Sequence, residues 1–336
     1  MKISDEHIAA VQALGYTADE ARFLYIAATH SGYFVPRQFN AFAGAKWGKR
    51  SDRFIAKLES RGHATWRAYT RVGGVYHLFS KILYRVIDKE NLRNRRRHST
   101  EFIRTRLVLL DFVLTNQAYD YLETEDDKVS YFCERLGIPK TALPVKAYSG
   151  STRFGPALRH FVDKFPVFFN RSGGSSASPV TFSYVDADEA SIAGFRHHLN
   201  AYKQLLSYLP DFHFLYVSNS TVHFDAAERC FSAFAKHALQ QSSSDELLRY
   251  FRLRAAWDQK QYGNLSNEDV EWLDRANGRL GGQDTERLYA AWRSGELAGD
   301  SLAVHLTDAR SPHKFRFSPW LVSIAQTSPK ELGRTG

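Results

Sequence analysis

Arg50-Ser-Asp-Arg-Phe-Ile-Ala-Lys-Leu-Glu-Ser60, followed by His63-Ala-Thr-Trp-Arg-Ala-Tyr69 and Val75-Tyr-His-Leu-Phe79, is the stretch from which the fold is read. Phe54, Ile55 and Leu58 recur at helical spacing and mark a core side. Arg50, Arg53 and Lys57 stand at i, i+3 and i+7, which predicts a shared solvent-facing stripe. The next two runs are rich in aromatic and β-branched residues, and Gly73-Gly74 between them signals a hairpin. Arg67 and Arg71 fall on or near its tip. Trp47 and Trp66 are expected in the core.

Reading upstream, Ser4 is placed to cap a helix carrying Ile8, Val11 and Leu14, and Gly15 ends it. Thr17-Ala-Asp-Glu20 is a capping box for a second helix with Phe23, Leu24 and Ile26, which stops near Ser31-Gly32. Pro36 opens a short third helix over Arg37–Ala43, and residues 44–48 read as a turn. Helices, turn, basic helix and basic hairpin follow the order of a winged helix. In such a module Lys46, Lys49, Arg50, Arg53 and Lys57 approach the major groove, while Arg67 and Arg71 touch phosphate or the minor groove.

Charge points the same way. Residues 1–100 hold 18 Lys and Arg against 8 Asp and Glu, whereas the other 236 residues hold 27 against 28. The whole excess sits in one module, where a concentrated positive field attracts a polyanion. Composition excludes other classes. Hydrophobic residues make up 43% of the 336, an ordinary share, and no apolar run approaches the roughly 18 residues of a membrane span. The N-terminus lacks the apolar stretch of a signal peptide. Cys133 and Cys230 stand in unrelated contexts, against a disulfide framework or thiolate zinc site. The expected setting is the cytoplasm, on nucleoid or plasmid DNA.

Downstream, residues 80–88 read as a helix. Arg93, Arg95, Arg96 and Arg97 form a basic run, read as a phosphate clamp. Ser99 restarts an apolar helix through Phe102, Ile103, Leu107, Leu110, Phe112 and Val113, a spine between domains or a dimer helix. The expected division is a winged helix over 1–90, a basic connector helix over 91–117, an α/β domain over 118–327 and a loose tail over 328–336. Within the third part, strands at 143–148, 166–169, 179–185 and 212–218 alternate with helices at 190–209 and 225–239, which predicts a mixed sheet. Residues 243–261, 267–277 and 285–294 read as helices. Leu302–Leu306 and Lys314–Phe317 are expected to form a final hairpin. The fold class is α/β, or α+β taken over the whole chain.

The chain resembles the replication-relaxation proteins of plasmids and integrative elements. The likeness rests on Arg53-Phe-Ile-Ala-Lys-Leu-Glu-Ser-Arg-Gly-His-Ala64, the Gly73-Gly74 hairpin, Phe182-Ser-Tyr-Val-Asp186, the helix through Tyr202-Lys203 and Phe214-Leu-Tyr-Val-Ser218. It spans roughly residues 5–240 and its motifs are loose patterns. It implies a winged helix joined to an α/β domain like a degenerate restriction endonuclease, with a role in replication, transfer or gene control on a mobile element.

A metal-dependent nuclease of that type needs an Asp on one strand and an acid, a spacer and a Lys on the next, to hold Mg²⁺ and activate water. Asp163 is the candidate first carboxylate and Asp186-Ala-Asp188 the second element. Asp188 then occupies the Lys position, and Lys203 on the following helix is the substitute. Asp186 also reads as an N-cap, so the expectation is an inactive, nuclease-shaped scaffold with no cofactor; Mg²⁺ enters only with the endonuclease alternative. His197 and His198, adjacent on a helix, point about 100° apart and do not chelate one metal. His223 and His237 lack matching carboxylates. The reading favours a sequence-specific protein of duplex DNA. The alternatives are a targeted Mg²⁺-dependent endonuclease and a scaffold whose α/β domain docks another protein. A homodimer is a further expected assembly.

Overall fold

The structure is a computed structural model, and residues 1, 3–44, 49–69, 73–148, 157–170, 179–187, 191–236, 240–280, 283–298 and 314–322 are described. Its head is built from α1 (Asp5–Ala13), α2 (Ala18–His30), β1 (Tyr33–Phe34), α3 (Pro36–Phe42), α4 (Lys49–Ser60), β2 (Ala64–Tyr69) and β3 (Gly73–Leu78). Caps set the helix starts. The Ser4 hydroxyl accepts from the His7 amide, and Thr17 and Glu20 accept from each other's backbone amides at 3.3 and 2.8 Å. At Gly15, φ of 87° turns the chain between α1 and α2, a conformation other residues adopt only under strain.

The three head strands pair antiparallel in the order β1-β3-β2, with Tyr33 opposite His77 and Ala64 opposite Leu78. Strand alternation gives this sheet two occupied faces. Phe34, stacked with Tyr76, faces α4 and joins Phe23, Phe39 and Phe54, with Phe39 and Phe54 stacked at 4.1 Å. Tyr33 and Val75 face the other way, onto Ile103 and Leu107.

After α5 (Lys81–Arg85) the chain departs from the expected connector helix. Arg93–Arg95 is a single 3₁₀ turn, and the helix starts only at Thr100 as α6 (Thr100–Thr115), with Ser99 as its cap. The cause is Asn94. Its buried amide donates to the carbonyls of Ala28 and Thr29 at the end of α2, pinning the chain in a turn. From Arg106 to Val113 every residue of α6 is buried. One side packs on α2, α3 and β1, the other on the second sheet, so one apolar core runs from Phe23 through Phe112 to Val217.

The rest of the chain continues with β4 (Asp120–Tyr121), α7 (Glu125–Val129), an antiparallel pair β5 (Val145–Tyr148) and β6 (Ala157–His160), then β7 (Val167–Phe169), β8 (Val180–Asp186), α8 (Ile192–Ser207), β9 (Asp211–Ser218), α9 (Phe224–Phe234), α10 (Gln240–Asp258), α11 (Asn267–Leu280), α12 (Gln283–Ser294) and β10 (Lys314–Leu321). A π-type turn over Ser130–Arg135 extends α7. The second sheet has the order β10-β9-β8-β7-β4. Strands β8, β9 and β10 are parallel, and β7 runs antiparallel to both β8 and β4, so the chain is mixed α/β. Phe182, Phe214 and Tyr216 face α8 and α9, while Val185, Leu215 and Val217 face α6. Helices α10–α12 share a small core of their own around Tyr250, Phe251 and Tyr289.

Of the two arms expected for the final hairpin, only Lys314–Phe317 lies among the described residues. These residues belong to β10, parallel to β9, with Phe315 opposite Phe212 and Phe317 opposite Phe214. Phe317 stacks on Phe231 of α9 at 5.0 Å, extending the aromatic row of β9. Leu302–Leu306 lies outside the described residues. Among the described residues, no helix is long and apolar enough to cross a membrane.

Candidate nucleic-acid interface

The stripe expected on α4 is divided by its neighbours. Arg50 pairs with Asp19 of α2 at 2.6 Å, and Lys57 pairs with Glu20 at 2.5 Å while lying over the Tyr16 ring at 5.4 Å. Lys57 is thus held against α2 rather than turned to solvent. The outward face carries Lys49 and Arg53, together with Asp52 and Glu59, all exposed. Its charge is therefore mixed. Lys46, Trp47 and Arg71 lie outside the described residues.

Arg67 belongs to the opposite side of the head sheet. On β2 it shares a face with Tyr69, which packs beside Ile103 and Leu107. Burial, and then the charges of Arg67 and Arg97 among others, hold the His77 imidazole down at about 4. Arg67 and Arg97 therefore both lie near His77. Arg96 and Arg97 are exposed just before α6, Arg95 is half-buried, and Arg93 lies over the Tyr148 ring at 4.9 Å. The basic residues thus form two groups, one beside α4 and one beside the head of α6.

Trp66 is not in the core. It is 50% exposed, and its indole lies so close to Gly74 that a Cβ there would stand 2.5 Å from Nε1. The hairpin consequently presents a tryptophan ring, which any side chain at position 74 would have to displace.

The two candidate carboxylates lie on the α8 side of the second sheet, flanking Tyr184, whose phenol both push up after burial has raised it. Asp163 accepts from Tyr202 Oη at 2.9 Å and from the Phe165 amide at 3.0 Å, and His198 Nδ1 lies 3.4 Å away. Burial alone would raise its carboxyl. The hydrogen bond and charge of His198, the charge of Lys128 and the Phe165 amide outweigh it and hold the group at about 2. Asp186, buried at the end of β8, accepts from the Tyr216 hydroxyl. Lys203 is exposed on α8, next to buried Tyr202 but around the helix from it, so it does not join the carboxylates. Asp188 and His237 lie outside the described residues. His197 is exposed and His198 buried, as their adjacent helical positions require. Among the described residues, no three His, Cys, Asp or Glu side chains are grouped to hold a metal ion.

The sequence reading missed an interior set of cations. Arg106 is 1% exposed. Its guanidinium donates to the carbonyls of Asp163 at 2.8 Å, Lys164 at 3.2 Å and His30 at 3.5 Å, tying α2 and α6 to the segment before β7. Burial lowers it to about 10. Lys128 donates to the Phe165 carbonyl at 2.9 Å, and burial lowers it to about 8. Lys164 donates to Asn94 Oδ1 at 3.1 Å, and burial followed by the charge of Arg106 lowers it to about 7. One signal was present: Arg106 stands within an apolar helical run, one turn from Ile103 and Leu110. Nothing local marked Lys128 or Lys164. No family model, curated protein or solved structure matches the chain.

Proposed function

We propose that the head is a winged-helix module and that the chain is a binding protein of double-stranded DNA, acting in replication, transfer or gene control on a mobile element. The observation that carries this reading is the combination in one module of an antiparallel β1-β3-β2 sheet, whose β2-β3 hairpin follows α2, α3 and α4, with the entire positive excess of the chain. On this reading α4 offers Lys49 and Arg53 to the duplex, Arg50 reaches it only by leaving Asp19, and Lys57 supports α4 from behind. Arg67, Arg96 and Arg97 meet phosphates on the flank.

With α7 and the β5-β6 pair inserted between β4 and β7, the α/β part follows the order α6-β4-β7-β8-α8-β9, its β8 and β9 parallel, and this supports the likeness to a nuclease scaffold. We take that scaffold as non-cleaving, because Asp163 and Asp186 are engaged by tyrosine and histidine partners and Lys203 points elsewhere.

The test is anisotropy of a labelled random duplex titrated with the full chain across a salt series. Five to eight phosphate contacts give a slope of log K against log salt of about −5 to −7. Binding that is absent, or indifferent to salt, would overturn the DNA reading. Plasmid incubated with Mg²⁺ or Mn²⁺ should stay intact. Cutting that disappears in Asp163→Ala or Asp186→Ala would establish the endonuclease instead.

A further inference from the structure

We propose that the cleft between the head and the second sheet binds a small phosphorylated anion of nucleotide size. The cleft has a cavity volume of about 80 Å³, opens to solvent, and is walled by the end of α2, the turn before α6, α7 and the segment from β6 to β7. Four cations line it: Arg93, Lys128, Arg159 and Lys164. Two carboxylates line it as well, and both are already engaged. Glu123 accepts from Tyr25 Oη at 2.7 Å and pairs with Lys89 at 3.1 Å. Glu125 accepts from the His160 amide and from Arg159, each at 2.7 Å.

That leaves three cations whose direct partners are neutral, although Lys128 also feels the charges of Asp163, Asp127 and Glu125. Lys128 holds a carbonyl, Lys164 an amide oxygen, and Arg93 the face of Tyr148. Isolating such charges from water is costly unless a counter-charge arrives. Around them stand polar atoms with no hydrogen-bond partner among the described residues: His30 Nε2, His160 Nδ1 and Thr29 Oγ1, each on a side chain at least nine-tenths buried. A dianionic phosphoryl group supplies both what the cations lack and acceptors for a hydroxyl and ring N–H. Tyr121, Tyr148, Phe161 and Phe165 among the walls offer rings against which a planar base can stack.

Binding should also move protons. Lys164 is faced by Arg106 from α6, Arg93 and His98 from the turn before it, Arg159 from β6 and Lys128 from α7, and the nearby Asp163 carboxylate is turned to α8. An anion among these groups favours the charged ammonium, so at pH 8 the complex takes up protons that the free protein lacks.

The experiment is calorimetry on the full chain at pH 8 and constant ionic strength, with inorganic phosphate and AMP as probes, in two buffers of different ionisation enthalpy. The expected result is saturable binding of phosphate, at least tenfold tighter binding of AMP, and heats that differ between buffers in the sense of proton uptake. Lys164→Met should weaken AMP at least tenfold and reduce the uptake. Arg93→Gln, on a half-buried side chain, should weaken AMP as well and serves if Lys164→Met does not fold. No heat from either probe overturns the site, as does unchanged affinity in both variants. AMP no tighter than phosphate overturns the nucleotide-sized ligand. If duplex DNA displaces AMP, the cleft belongs to a DNA-binding surface and the small-ligand assignment falls.

Discussion

Two sets of basic residues in this chain do opposite things with the same chemistry. Arg53 on the head and Arg96 and Arg97 just after it are exposed, and each charge adds to a long-range field. Arg106, Lys128 and Lys164 are enclosed where the head meets the second sheet, bound to carbonyls and an amide. Charge at the surface contributes little to stability and acts on partners at a distance. Charge in the interior is worth nothing at a distance and makes the local structure depend on every hydrogen bond it has.

The largest effect that would sharpen this contrast is the removal of Arg106. Arg106→Ala leaves three buried carbonyls without their donor and opens space beside Phe102, so urea denaturation should show a loss of about 3–5 kcal/mol. A loss under 1 kcal/mol would place Arg106 among the surface charges. The next concerns pH. Burial holds His30 at about 4, below its unfolded value near 6.5. Over that window the unfolded chain binds more protons, so stability is full above pH 6.5 and falls as pH drops toward 4, by at most about 3 kcal/mol from this residue. His77 adds a decline of the same sign. The midpoint difference between pH 7 and pH 5 should shrink in His30→Phe; an unchanged difference refutes a buried neutral imidazole.

On the surface the effects should move from stability to binding. Arg53→Ala should cost about 1–3 kcal/mol in affinity for a preferred duplex and leave the urea midpoint within about 0.5 kcal/mol. Lys57→Ala should do the reverse, since Lys57 is held by Glu20 and Tyr16. Matched titrations and melts of the two variants decide between them. The smallest effect is expected for Arg97→Ala: the salt slope should fall by about one unit, equally on specific and scrambled duplexes. A change in sequence preference instead would make the flank beside α6 the reader.

The helices with local signatures were readable from the residues alone. Ser4, Thr17 and Glu20 cap as their spacing requires, and Phe54 and Leu58 are buried where periodicity put them. What stayed hidden depends on residues far away in sequence. Lys57 shares a stripe with Arg53, but Asp19 and Glu20 wait on one side of it, and no window around position 57 contains them. Asn94 looks like one more polar residue in a basic run until the carbonyls of Ala28 and Thr29 stand beside it. The two-residue β4 has no pattern to read, and the parallel pairing of β10 with β9 joins residues too far apart for any local window to show it. For the candidate site the lesson is the same. The net charge of the head was visible, but the division of its arginines between two faces of a sheet was not.

The pairing of β10 with β9 has a consequence for the order in which the molecule assembles. Asp211–Ser218 leaves the ribosome roughly one hundred residues before Lys314–Leu321, its neighbour on that side. Throughout that interval β9 has an open edge, with its N–H and C=O groups offered to any extended chain nearby. Helices α10–α12, which close on contacts near in sequence, are synthesised during the wait and need nothing from the strand still to come. Late in synthesis the nascent protein is thus a finished head and a finished helical appendage flanking an unfinished sheet. A chain cut short before residue 314 keeps that edge exposed for good, and aggregation through it is the expected fate of C-terminal truncations.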